Sequence, residues 1–246
     1  SRIRQYAIQG DSIFVVLDQT PFYAESGGQI GDMGTINGRG IELTVLDVKK
    51  ENNSIIHICK GVMTEQGEVN CKVDASRRLS TMNNHTATHL MYKALKYILG
   101  DHVNQAGSLV HPDYLRFDIT HFEKITADQI KEIESIVNQQ ILLNTKLDVT
   151  IKSFDDAKAA GAEALFGEKY GDEVRVVRVG DYSLELCGGT HVKQTGDIGS
   201  FKITEEASLS SGVRRIVAIT SMNNGVFDKF FSNLKILNAF WAFYHF

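Results

Sequence analysis

The sequence predicts an α+β protein: a small N-terminal β-barrel joined to a two-layer α/β domain, with helices on a mainly antiparallel sheet. Three observations carry that prediction. Up to Asp74 the apolar residues fall in short, β-branched or alternating runs. After Asp74 their spacing switches to threes and fours. From Leu147 onward short strand-like runs return. The expected divisions are residues 1–74 for the barrel, 75–222 for the α/β domain and 223–246 for a C-terminal helical tail.

The elements follow in order. Ser12–Asp18 is short, apolar and β-branched, and Ile41–Val48 alternates more cleanly. Ser54–Cys59 and Glu68–Val73 complete the expected N-terminal strands. Asn37-Gly38 and Asn52-Asn53 punctuate them as turns. Several short strands at this spacing suggest a barrel. Leu79, Met82, Thr86, His89-Leu90, Leu95 and Ile98-Leu99 then follow a helical face that ends at Gly100. Thr126 is an N-cap candidate for a second helix with the face Ile130, Ile133, Val137, Gln140-Ile141. Strands are expected at Leu147–Ile151, Val174–Val179, Tyr182–Leu186, Ile198–Ile203 and Val213–Thr220. The tail carries six of the 13 Phe, with Leu234, Leu237 and Trp241 at helical spacing. Its apolar face must cover the domain or meet a partner.

Composition narrows the function. Hydrophobic residues at 43% and charged residues at 23% exclude a disordered chain. No stretch approaches about 18 uninterrupted apolar residues, so no membrane span is expected. A net charge of −4 excludes a protein that coats nucleic acid through bulk charge, though not local basic contacts to one RNA end. The chain starts at Ser1 with no basic-then-apolar leader, which reads as a trimmed or processed chain without a secretory signal. A cytoplasmic location is the expectation. Three cysteines without regular spacing do not make a disulfide framework. Cys59 and Cys71 read as small buried strand residues.

Cys187 stands apart because of its neighbours. His85-Thr86-Ala87-Thr88-His89 puts two imidazoles four residues apart, on one face of the expected helix. Cys187-Gly188-Gly189-Thr190-His191 repeats that separation at a strand end, where two glycines permit a sharp reversal. One thiolate and three imidazoles suit Zn²⁺, which accepts four tetrahedral N and S ligands. A peptidase helix needs a Glu beside the first His, and Thr86 stands there instead. The paired Cys-x-x-Cys of a zinc deaminase is also absent.

Thr20–Gly34 is the other dense segment, running Thr-Pro-Phe-Tyr-Ala-Glu-Ser-Gly-Gly-Gln-Ile-Gly-Asp-Met-Gly. It reads either as a glycine-rich hairpin or as a loop whose backbone approaches a polar ligand. No Lys follows the glycines as a phosphate loop requires.

Together, Thr20–Gly34, His85–Met91 and Cys187–Val192 resemble the editing region of alanyl-tRNA synthetase, over most of residues 10–220 and in the expected order. Free-standing alanyl-tRNA editing factors share these motifs, and the two ligand pairs also resemble the threonyl-tRNA synthetase editing domain. The resemblance implies a hydrolase that removes wrongly attached Ser or Gly from alanine tRNA at its 3′ acceptor end. It implies a zinc site of His85, His89, Cys187 and His191, with Gln105 at a position associated with editing. Thr20 and Asp32 match the glycine-rich motif tied to amino-acid selection. Arg214 matches a basic position near the tRNA end, and Arg77 and Arg78 are further phosphate candidates. The parent enzyme would be an ATP-using alanine–tRNA ligase, but this chain is expected to lack its aminoacylation domain. A trans-acting editing factor, a non-catalytic tRNA-binding module with a structural zinc, and a metal hydrolase of small esters remain as alternatives. The sequence gives no reading of oligomeric state.

Overall fold

Up to Val73 the chain forms six strands, with inward and outward side chains alternating most cleanly over residues 41–45. In the computed structural model, which describes residues 1–164 and 171–220, they are β1 (Ile3–Gln9), β2 (Ser12–Leu17), β3 (Gly34–Gly38), β4 (Ile41–Glu51), β5 (Ser54–Met63) and β6 (Val69–Val73). Their order is β1-β2-β5-β4-β3-β6, and every pairing is antiparallel. On β4, Ile41, Leu43 and Val45 point into the core while Glu42 and Thr44 face out. Val48 is also buried, although it breaks that parity. A bulge between Val45 and Asp47 restores it by inserting Leu46 as the extra residue. The first and last strands of the sheet approach each other: Ile3 N donates to Gly67 O and Val69 N to Ser1 O.

The Asn52-Asn53 turn forms as expected, with both residues at positive φ between β4 and β5. The expected turn at Asn37-Gly38 does not. Those residues finish β3, paired with Glu42 and Ile41, and the chain reverses at Arg39-Gly40. Gly40, at φ 64, supplies the left-handed conformation there.

Helix α1 (Ala75–Leu99) starts because the Asp74 carboxylate accepts from the backbone N–H groups of Ser76 and Arg77. It stops at Gly100, whose φ of 112 is unfavourable for other residues. Its middle is buried on nearly every side, including the polar Asn83, Asn84, His85, Thr86, Thr88 and His89. Asn84 satisfies itself by donating to His111 O and Pro112 O and accepting from Thr220 Oγ1. Helix α2 (Ala127–Leu142) carries a full capping box between Thr126 and Gln129 and buries Ile133, Val137 and Ile141.

Two further antiparallel sheets complete the fold. One has the order β12-β13-β8-β7, from β7 (Gln105–Val110), β8 (Leu115–Thr120), β12 (Phe201–Ser210) and β13 (Val213–Thr220). The other is β11-β10-β9, from β9 (Leu147–Ser153), β10 (Glu173–Val179) and β11 (Ser183–Leu186). Helix α3 (Phe154–Ala159) follows β9. The architecture is α+β, with antiparallel sheets and few helices among the described residues. One correction concerns the strand expected at Ile198–Ile203. Thr195–Ile198 is instead a 3-10 turn, with Asp197 accepting from Gln194 N, and Gly199 at φ 82 delays the strand to Phe201. Strands β1, β3, β7 and β8 and helix α3 were not expected from sequence. The expected helical tail lies outside the described residues.

Apolar side chains gather in separate clusters. Ile3, Val15, Ile36, Leu43, Val45 and Cys59 belong to the N-terminal sheet. Leu90, Leu95, Phe117, Ile133, Val137 and Ile216 join α1 and α2 to the β12-β13-β8-β7 sheet. The cluster of His85, His89, Cys187 and His191 sits where α1 meets the chain leaving β11.

Candidate metal centre

Helical geometry stacks His85 and His89 one turn apart on α1, with ring centroids 5.3 Å apart. The turn after β11 brings up the other pair. Arg175 on β10 holds that turn by donating from Nη1 to Cys187 O at 2.8 Å and Gly189 O at 2.7 Å. The result is a set of four donor atoms, all within 4.8 Å of one another. Cys187 Sγ lies 3.4 Å from His85 Nε2 and 3.3 Å from His191 Nε2. Tetrahedral Zn²⁺ with bonds of about 2.3 Å to S and 2.0 Å to N would separate such atoms by roughly 3.5 Å. The donor set and the two sulfur–nitrogen distances therefore fit a tetrahedral metal ion.

The far side of each imidazole is also occupied. His85 Nδ1 is 2.7 Å from Gln29 Oε1. His191 Nδ1 is 3.2 Å from Thr86 Oγ1, which also accepts from Val192 N. His89 Nδ1 is 3.3 Å from Glu185 Oε2, and Ser183 Oγ donates to the other oxygen of that carboxylate. Partners at Nδ1 of His85 and His191 leave their Nε2 atoms facing the Cys187 sulfur, as metal-bound histidines require, whereas His89 Nδ1 makes no hydrogen bond. Burial pulls the His85 imidazole down to about 4 and holds His191 well below its ordinary value. Both rings are thus neutral at pH 7 and able to ligate. Burial likewise pushes the Glu185 carboxyl up to about 7.

A narrow cleft opens beside the cluster, lined by Gly27, Thr88, Gln105, Ser108 and Glu185 together with His85 and His89. The structure thus brings Gln105 to the His pair. Thr20 and Asp32 are not in that lining. Thr20 Oγ1 is 2.7 Å from His57 Nε2 and accepts from Phe22 N. Asp32 is buried, accepts from Tyr23 N and pairs with Arg78. Arg78 is therefore committed to a carboxylate at the start of α1. Arg214 is committed likewise, to Glu206, with its side chain 12% exposed. Arg77 keeps a buried Nε with no partner among the described residues. Gln29, Glu185 and Arg175 escaped sequence reading. Gln29 alone had a local signal, its place in Ser-Gly-Gly-Gln.

Three imidazoles and a thiol beside a polar cleft, on an α+β scaffold, form a cluster that could hold a metal ion. Residues 174–217, which include Cys187 and His191, match the family of the threonyl and alanyl tRNA synthetase second additional domain. Residues 1–77 match the class II (A) tRNA synthetases. The alanine–tRNA ligase of Acetivibrio thermocellus is 53% identical over 218 residues, covering 87% of this chain and 25% of the relative. That of Alkaliphilus oremlandii is 55% identical with the same coverage. That of Francisella philomiragia is 54% identical over 219 residues, again 87% of this chain and 25% of the relative. These matches support a segment of an alanyl-tRNA synthetase that includes the second additional domain. The chain spans about a quarter of the length of the curated relatives it matches. No described helix is long and apolar enough to cross a membrane.

Proposed function

We propose that the chain is a zinc-containing editing hydrolase that deacylates Ser-tRNA(Ala) or Gly-tRNA(Ala) at the 3′ acceptor end. The observation that carries this reading is the four-donor cluster with Gln105 on the adjoining cleft wall. The family of the relatives supports a tRNA substrate. Two domains, 1–74 and 75–222, fit the separate apolar clusters, and the contact of β1 with the β6 end supports a small closed barrel for the first.

His85, His89, Cys187 and His191 would hold Zn²⁺. A zinc held there would supply positive charge beside the 3′ end. Four protein donors complete a tetrahedral shell, which favours positioning over activation of a metal-held water. Hydrolysis of an ester needs a placed water and a stabilised oxyanion. Gln105 carries both a donor and an acceptor at the cleft and suits either task. Alanine is smaller than serine, so packing alone excludes the extra hydroxyl of Ser poorly, and a second site that hydrogen-bonds it can select the error. Gln105, Thr88 and Ser108 are the polar side chains placed for that. Thr20 and Asp32 act through the loop: Thr20 braces His57, and Asp32 anchors Arg78. Of the basic candidates, Arg77 makes no side-chain ion pair among the described residues, although the Asp74 carboxylate accepts from its backbone N–H, whereas Arg78 and Arg214 act as internal braces first.

The test is release of serine from Ser-tRNA(Ala) by the zinc-loaded chain. Cys187→Ala should lose zinc and activity together. Gln105→Ala should slow hydrolysis with zinc retained. A zinc-loaded chain that binds the RNA but never hydrolyses it is a binding module instead.

A further inference from the structure

Gln29 lies on the Thr20–Gly34 loop, 56 residues from His85 and 161 from Thr190 in sequence, yet it touches both. Its side chain is fully buried. Two glycines make this reach possible. Ser26 and Gln29 exchange backbone hydrogen bonds across Gly27-Gly28, both at positive φ, so the chain reverses tightly there. The loop then docks on β7, with Val110 N donating to Gly28 O and Ile30 N to Val110 O. Gly28 packs so close that a Cβ would lie 2.8 Å from Ser108 O.

We propose that Gln29 is the positioning residue of the centre: its amide oxygen selects the His85 tautomer and ties the metal-ligating turn of Cys187–His191 to the glycine-rich loop. The argument starts at Thr190. Its backbone N–H is a donor and nothing else, and it points at Gln29 Oε1 from 2.8 Å. That donor fixes which end of the amide faces inward, because Nε2 there would set donor against donor. Thr190 Oγ1 lies 3.2 Å from the same oxygen. His85 Nδ1, 2.7 Å away, must then be the protonated nitrogen. The lone pair is left on Nε2, the nitrogen 3.4 Å from Cys187 Sγ. One oxygen therefore touches a ligand of one half of the cluster and the turn that carries the other half. Groups in this position typically change metal affinity about 10–100-fold when removed.

The inference rests on the metal reading, and two variants and one spectrum separate their failures. Gln29→Leu removes the acceptor at similar volume, and Gln29→Glu keeps it. Zinc affinity is read by chelator competition, and the geometry by the visible spectrum of the Co²⁺-loaded full chain, with a thermal melt for each variant. Gln29→Leu should bind zinc about 10–100-fold more weakly and shift the cobalt bands, and Gln29→Glu should recover most of both. Wild-type affinity and bands in Gln29→Leu overturn the assignment, as does a Glu variant no better than Leu. A wild-type chain that takes up no zinc sinks the metal reading instead. Imidazole ¹⁵N spectra of the metal-free wild type then decide the Gln29 role, as they also do if Gln29→Leu fails to fold. A proton on His85 Nδ1 is expected, and a proton on Nε2 in its place refutes it.

Discussion

Gly188 and Gly189 look interchangeable in Cys187-Gly188-Gly189-Thr190-His191, yet the structure sets them far apart. Neither has a left-handed φ, so any cost of alanine is steric. A Cβ on Gly189 would lie 2.0 Å from His85 Cε1 and 2.4 Å from His85 Nδ1. A Cβ on Gly188 would meet nothing within 4 Å. Carbon atoms pack at about 3.5–4.0 Å, so in Gly189→Ala the His85 ring must retreat by more than 1 Å. It has little room to retreat, because Gln29 holds Nδ1 and Cys187 Sγ sits near Nε2. Overpacking of this kind costs about 1–3 kcal/mol. In a chain of this size that lowers Tm by roughly 2–12 °C. Metal sites tolerate only about 0.2 Å in ligand distance, so zinc affinity should fall by at least the roughly 10–100-fold seen when supporting groups are lost. Gly188→Ala should match wild type in both. The assay is a thermal melt of the zinc-free chain, paired with zinc competition against a chromophoric chelator. Equal behaviour of the two variants would refute the packing of His85 against Gly189.

Other outcomes follow from the same contacts. Burial pushes the Cys59 thiol from 9.0 up to about 12, so at a given pH below 9 the folded chain should hold about a thousandfold less thiolate there than the unfolded chain. Alkylation read by mass spectrometry should leave Cys59 unlabelled until denaturant is added. The sign for stability follows: above pH 9 the unfolded state loses this proton and the folded state keeps it, so this contribution falls as pH rises from 9 towards 12. Thr126→Ala removes the side chain that accepts from Gln129 N and should cost about 1 kcal/mol in denaturant melts.

What was legible in the sequence depended on how local its cause is. Thr126 and Gln129 are three residues apart, so the start of α2 is written in a short stretch. Asn52-Asn53 likewise announces its own turn. The two metal-ligand pairs could each be read, because a spacing of four needs only one helical turn or one tight reversal. Strand β7, with Gly107 and Ser108 inside it, has no apolar alternation to announce it. It is a strand because β8 pairs with it, from Gln105 opposite Ile119 to Val110 opposite Leu115. Asp118 looks like a loop residue until Arg215, 97 residues later, donates to both its oxygens.

By itself the sequence determined the class of fold, the chemistry of the donors and the net charge of −4 that confines any RNA contact to a small patch. Only the tertiary structure decided that the two pairs converge, that Gln105 shares their cleft while Thr20 and Asp32 turn to His57 and Arg78, and that Gln29 stands behind His85. The physical reason is range. Helix periods and turn residues act over a few positions, whereas these contacts join segments whose closeness depends on how the sheets pair and pack.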